Sequence, residues 1–281
     1  MQRLDVWLAL ASGLCALSAG LLLGRQARRR RAGIDLRNAM RLTRTPWIAL
    51  IGLAVAAAGF AVLQLVPGLA WKVPHFVELH LLAFCGAAFL GPAGLLFGFA
   101  IGLAFASAAE HRWCLAALVA GLFGCVGVAW VVVTRPIADD LGHSVDPDGF
   151  ILQTSGTSCA AASAANVARQ LGLAVTEREM AERVGTTVLG TTSAAVVEGL
   201  SELGVTCRRI ERFDTDPRMV VPPAILVVDH PATGPESHAV AFLGMDRGRA
   251  LVVDPLDGLS RTPSERLGLR WHGHGLECGR P

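Results

Sequence analysis

The residues with the most chemistry in their spacing are Gln153-Thr-Ser-Gly-Thr-Ser-Cys159, which run directly into the small-residue stretch Ala160 to Ala165. The pattern predicts a cysteine at the point where a loop turns into a helix, with a glutamine six positions upstream. The alanines, Val167 and Leu171 mark that helix, and Gly172 ends it. Free N–H groups and the positive dipole end of a helix favour a thiolate over a thiol. A carboxamide just upstream can lie beside the sulfur and donate to a developing oxyanion. Most free cysteines are buried structural thiols, so a nucleophile needs partners. His238 is expected at the start of a strand and Asp254 at the end of its hairpin partner, side by side across the pair. The carboxylate could then accept from one ring nitrogen while the other faces the thiol. Alone, His238 could be a satisfied strand-end histidine and Asp254-Pro255 only a turn. Together, Gln153, Cys159, His238 and Asp254 supply an oxyanion donor, a nucleophile, a base and an orienting carboxylate.

Other candidates carry less. His230 follows Asp229 at a strand end but adjoins Pro231 in a loop. His272-Gly-His274 with Cys278 has a loose metal-ligand look, without a second cluster to complete a site. His143 and its neighbouring Asp residues have spacing common in solvated linkers. No metal or other cofactor is expected. Cys207 and Cys278 could pair as a disulfide if their domain lies outside the cytoplasm.

These side chains need a scaffold, and residues 150–281 offer one. Thr176-Glu-Arg-Glu179 is a capping box that opens a short helix through about Val184. Thr191-Thr-Ser193 starts a third helix, with Val196, Val197, Leu200 and Leu203 on one face and Gly204 as its stop. The period then changes. Val205 to Ile210, Ala224 to Val228, His238 to Leu243 and Ala250 to Val253 are short β-branched runs between turn signals. Asp246-Arg-Gly248 reads as a hairpin turn. Helices followed by an antiparallel sheet form an α+β pattern.

The first half of the chain differs in kind. Of 281 residues, 52% are hydrophobic and 17% charged, and almost all of the excess lies before Thr134. Val6 to Leu23 can cross a bilayer core of about 30 Å. Reading it as a signal peptide cut after Leu17-Ser-Ala19 would carry Arg25, Arg28 to Arg31, Arg37, Arg41 and Arg44 outward. So dense an arginine loop belongs on the cytoplasmic side, which predicts a retained span with its N-terminus outside. Trp47 to Val66 is the second span. Leu79 to Ala109 is expected as one long helix kinked at Pro92, with a re-entrant hairpin as the alternative. After the short loop Glu110-His-Arg112, Leu115 to Val133 is a fourth span. Gly98-Phe-Ala-Ile-Gly102 reads as a helix-packing face. Cys15, Cys85 and Cys125 lack metal-ligand or CxxC spacing, and Cys114 sits at a helix edge. The expected organisation is an α-helical membrane bundle over 1–134, a linker over 135–149 and a globular domain over 150–281. Four spans would put that domain outside the cytoplasm, with the lipid bilayer as a partner. The net charge of +2 gives no electrostatic basis for a nucleic-acid partner. Oligomeric state is not legible.

Gln153-x5-Cys159, the alanine-rich helix ending in Leu171-Gly172, Gly190-Thr-Thr, His238 opening a strand and Asp254-Pro255 closing the next resemble the C39 and C39-like cysteine peptidases. The likeness covers roughly residues 150–262 in order and spacing. It implies a papain-like α+β fold, Cys159 as nucleophile, His238 as its base, Asp254 orienting the imidazole and Gln153 in the oxyanion hole. An integral protein of a bacterial cell membrane that hydrolyses peptide bonds in a peptide or protein substrate is the expectation. Ser158, Ala160 and Ala239 stand where the family often has Asp, Gly and an aromatic, which bears on substrate preference. The best-known members trim double-glycine leaders beside a transporter ATPase, but no GxxxxGK[ST] loop occurs in this sequence. The alternatives are a catalytically idle peptide-binding or assembly module tethered to the membrane, and acyl transfer to an amine.

Overall fold

The computed structural model describes residues 2–30, 39–65, 72, 74, 77–78, 80–106, 124, 126–231 and 234–281. Two compact units result, Met1–Leu65 with His80–Thr134 and Val66–Leu79 with Arg135–Pro281.

In the first unit the helices are α1 (Gln2–Arg30), α2 (Ala39–Leu42), α3 (Thr45–Leu65) and α4 (Leu81–Ala106). Residues 126–133 are also helical. α1 outruns the expected span and carries Arg28 to Arg30 in its last turn. α4 contains Pro92 yet is one continuous helix, not a re-entrant hairpin. Glycines explain how closely α1 and α4 approach. A Cβ on Gly98 would lie 1.9 Å from the carbonyl oxygen of Leu17, and one on Gly102 2.3 Å from that of Leu21. Gly20 and Gly24 return the contact, each 2.3 Å from the carbonyl oxygens of Leu95 and Phe99 in the same sense. Such small-residue faces let helix backbones meet where burial of apolar surface offers no driving force. Among the described residues, Leu8–Arg30 and Phe84–Leu103 are long and apolar enough to cross a membrane, and Thr45–Gly59 is a shorter apolar helix. Arg31, Arg37, the loop Glu110 to Arg112, Cys114, Cys125 and most of Leu115 to Val133 lie outside the described residues.

The second unit is the α+β half. Its sheet comprises β1 (Thr206–Glu211), β2 (Ala224–His230), β3 (Gly234–Asp246), β4 (Arg249–Asp254), β5 (Gly258–Pro263) and β6 (Trp271–Gly279), in the order β1-β6-β2-β3-β4-β5. Every neighbouring pair is antiparallel. The helices α5 (Cys159–Gln170), α6 (Glu177–Val184) and α7 (Ser193–Ser201) precede the sheet, and α8 (Ser264–Arg270) lies between β5 and β6. Local chemistry sets the helix ends. Thr176 and Glu179 make the reciprocal capping box of α6, and Gly185 closes it at φ 60°. The Thr192 hydroxyl accepts from the Ala195 N–H at the start of α7. Arg247 and Gly248, at φ 47° and 79°, turn β3 into β4 as a two-residue hairpin demands.

Alternation along the strands splits the core in two. Ala239, Ala241, Val253 and Leu276 pack with Ala161, Ala165, Val184 and Leu200 of the three helices. Val240, Phe242, Val252 and Trp271 pack on the other face with Leu267 of α8. The segment read as a linker contributes Ile137, Ala138 and Leu141 to the first of these clusters. β5, α8 and β6 were not expected. His238 does not open its strand, because β3 starts four residues earlier, where Gly234 pairs with His230 beyond a register shift. Cys207 and Cys278 face each other in the β1–β6 register and are joined as a disulfide.

Candidate active site

The loop before Cys159 is held by side chains from several elements. Asn166 of α5, fully buried, accepts from the Ile151 N–H and donates to the Ile151 carbonyl, both at 2.8 Å. Glu177, 2% exposed at the start of α6, accepts from the Thr154 N–H at 2.9 Å and from its hydroxyl at 2.8 Å. The Gln153 N–H donates to the carbonyl of Pro255 at 2.8 Å, which ties this loop to the end of β4. The Thr157 hydroxyl donates to the Thr187 carbonyl at 3.3 Å. Ser158 occupies the position before α5 without capping it, because its hydroxyl donates back to the Ser155 carbonyl at 2.9 Å. The Ala160 N–H in the first turn is thereby left to point at the Cys159 sulfur. Gln153 Nε2 donates to the Ser155 carbonyl at 2.9 Å. Its Oε1 is buried, with no hydrogen-bond partner among the described residues.

From the sheet side comes the imidazole. Ala241 is opposite Val253, so one more step of that register sets Asp254 across from Val240 and diagonal to His238. The His238 Nε2 lies 2.7 Å from Asp254 Oδ1, with the two side chains 5% and 13% exposed. That contact leaves Nδ1 for the Cys159 thiol, and the charges of sulfur and ring stabilise each other. Ser163, one turn into α5, donates to the Ala239 carbonyl at 2.9 Å and so fixes β3 beside the helix that carries the cysteine. The Leu256 N–H donates to Asp254 Oδ1 at 3.1 Å.

Electrostatics follow from this packing. Burial opposes a thiolate at Cys159, but hydrogen bonds from His238 and the Ala239 and Ala160 N–H groups, with the His238 charge, outweigh it and lower its pKa. Burial likewise opposes an imidazolium at His238, yet Asp254 and Cys159 raise its pKa to about 9. Asp254 is held below the ordinary carboxylate value, its burial outweighed by His238 and the Leu256 N–H. Sulfur and ring thus favour the thiolate–imidazolium form over a neutral pair.

Cys159, His238 and Asp254 are therefore brought together, and Gln153 lies on the adjoining loop. Sequence reasoning missed Ser163, Asn166 and the second use of Glu177. The first two left a signal: they are the polar residues that interrupt the alanines of α5, three positions apart on one helix face. The loose metal reading of the C-terminus does not fit. The Cys278 sulfur is bonded to Cys207, His272 faces Asp229 at 2.8 Å, and His274 faces Glu236 at 2.5 Å. His230 lies beside His238, ring centroids 5.1 Å apart and planes tilted by 50°.

Helices first, an antiparallel sheet after them, and a cysteine at a helix start facing a carboxylate-bound histidine define a thiol-peptidase class of domain. Residues 148–280 match the Peptidase C39 family, and through them the chain belongs to that family. An uncharacterized protein of Methanothermobacter thermautotrophicus is 28% identical over 141 residues, which are 50% of this chain and 95% of that protein. A second, from Methanothermobacter marburgensis, is 30% identical over 122 residues, 43% of this chain and 82% of its own. Among solved structures, a double glycine motif protease from an AMS/PCAT transporter in complex with the leader peptide has a TM-score of 0.42 at 18% identity. It covers 50% of this chain and 93% of its own. The peptidase domain of Streptococcus ComA, a bi-functional ABC transporter involved in a quorum sensing pathway, has a TM-score of 0.41 at 23% identity. There the coverage is 46% of this chain and 96% of that domain.

Proposed function

We propose that the chain is a membrane-anchored cysteine peptidase in which Cys159, His238, Asp254 and Gln153 act together. The observation that carries this reading is His238 held between Asp254 at 2.7 Å and the Cys159 thiol. The Cys159 thiolate attacks the carbonyl carbon of a peptide bond. The oxyanion takes hydrogen bonds from the second Gln153 Nε2 hydrogen and the backbone N–H of Cys159. As the intermediate collapses, His238 Nδ1 gives its proton to the leaving amine and a thioester remains. His238 then takes a proton from water, whose oxygen attacks the thioester. Collapse releases the new carboxyl terminus and returns the thiolate–imidazolium pair. Asp254 keeps the ring oriented and stabilises its positive charge throughout.

The Cys207–Cys278 disulfide favours an oxidising compartment. The apolar helices α1 and α4 favour a membrane anchor, and a four-span arrangement would put the peptidase domain outside the cytoplasm. Cleavage of an unbiased peptide library by the purified chain tests the activity. Cys159→Ala should abolish cleavage, and Gln153→Ala should slow it by about 3 kcal/mol of transition-state stabilisation. Equal cleavage by a folded Cys159→Ala chain would show the assignment to be wrong. A parent that neither cleaves nor reacts at Cys159 would be the idle peptide-binding module.

A further inference from the structure

Glu78 lies in the segment between α3 and α4, yet it is 8% exposed and belongs to the compact unit of the peptidase domain. Its Oε1 accepts from the Ser193 hydroxyl at 2.6 Å and from the Ala194 N–H at 3.1 Å. Its Oε2 meets Arg209 Nη1 at 2.5 Å, in an ion pair whose side chains are 23% and 10% exposed. Ser193 and Ala194 open α7, and Arg209 lies on β1, two residues from the disulfide-bonded Cys207. A hydroxyl, a helix N-terminal amide and a guanidinium from two elements thus converge on one carboxylate. Removing a carboxylate from water costs more than most contacts return, unless donors of this kind replace the water. A guanidinium and the positive end of a helix are the strongest such replacements a protein offers.

We propose that this pocket is a dock for the α3–α4 segment, and that Glu78 is the anchor that holds the segment against the peptidase domain. The topology of the chain follows from the dock. A carboxylate and its three donors cannot pair across a bilayer, so the segment and the domain share one aqueous face. The chain between Leu79 and Arg135 must then cross the membrane an even number of times, which selects four spans over three or five.

Lys72 makes the proposal testable, because it is the only lysine in the chain and is exposed. A lysine-specific endoprotease therefore has one cleavage point, between Lys72 and Val73 in the docked segment. In a full-length Cys159→Ala background, which separates this readout from any peptidase activity, Glu78→Gln and Arg209→Gln should each speed that cut about tenfold or more. The double variant should be cut no faster than either single one, since both lose the same contact. Resistance of the Cys207–Cys278 disulfide to added dithiothreitol, compared with the urea-unfolded chain, reports that the domain is still folded. A second chain, Lys72→Arg with Asp148→Lys, moves the only lysine to an exposed turn beside the peptidase domain. In sealed, uniformly oriented vesicles the parent and this chain should be cut from the same face. Cleavage of the parent as fast as Glu78→Gln would overturn the dock, and cleavage of the two lysine positions from opposite faces would overturn the topology.

Discussion

Asp254→Asn keeps the size of the side chain and removes the charge that faces His238. In the parent, Asp254 and Cys159 together overcome burial and move His238 from 6.5 to about 9. That gap corresponds to about 3 kcal/mol of preference for the imidazolium, shared between the carboxylate and the thiolate. The 2.7 Å bond to a carboxylate 13% exposed is dry enough for most of its strength to survive solvent screening. If Asp254 supplies about half of the preference, its loss costs roughly 1.5 kcal/mol, about tenfold in the population of the thiolate–imidazolium pair. The assay is the rate of iodoacetamide alkylation at Cys159 across roughly pH 5 to 10, with the adduct mapped by mass spectrometry. For the parent, the rate should hold a plateau that starts below the ordinary thiol range and runs up to about pH 9, where loss of the His238 proton turns the paired thiolate into a free one. For Asp254→Asn, that upper edge should move down by about one pH unit. Superimposable profiles would refute the electrostatic account of the pair.

Stability gives a second readout. Between the ordinary His value of 6.5 and an ordinary thiol value near 8.5, the folded pair and the unfolded pair each hold one proton, so the pair adds no pH slope. Cys159→Ala leaves His238 raised by Asp254 alone. Its contribution should be complete below pH 6.5 and be lost as pH rises toward the folded value, by up to about 1.4 kcal/mol per pH unit. Thermal midpoints of parent and variant compared over that window check the sign, and parallel profiles would contradict it. Glu177→Ala should cost about 2–3 kcal/mol in the urea unfolding of the domain and slow peptide cleavage further, because Thr154 loses both of its bonds to a buried carboxylate. Gly98→Leu should lower the thermal midpoint in detergent by forcing α1 from α4, where even a Cβ meets the Leu17 carbonyl oxygen at 1.9 Å; an unchanged midpoint would argue against that packing.

What could be read from the sequence was local. The Thr176 capping box, the helix end at Val184 and the Arg247-Gly248 turn each depend on a few adjacent residues, and each stands where it was expected. Order alone also pointed to Cys159, His238 and Asp254, because a nucleophile at a helix start and two strand residues are positioned by local patterns plus one hairpin. β6 was not legible for the opposite reason. Its three glycines and two histidines give a weak strand signal, and its place between β1 and β2 is fixed by pairing with residues far away in sequence. The early start of β3 at Gly234 was hidden by Pro235, Glu236 and Ser237, which read as loop residues. Glu78 left no signal at all. A lone carboxylate in a weakly charged segment gains its meaning only from Ser193, Ala194 and Arg209, more than a hundred residues onward.

The claim that Cys159 performs the chemistry is tested most directly by titrating the purified chain with a peptidyl chloromethyl ketone while following cleavage of a library-derived substrate. The expected result is one adduct, mapped to Cys159, with activity falling in proportion to its occupancy and no adduct forming after His238→Ala. Undiminished cleavage once Cys159 is fully modified would contradict the account.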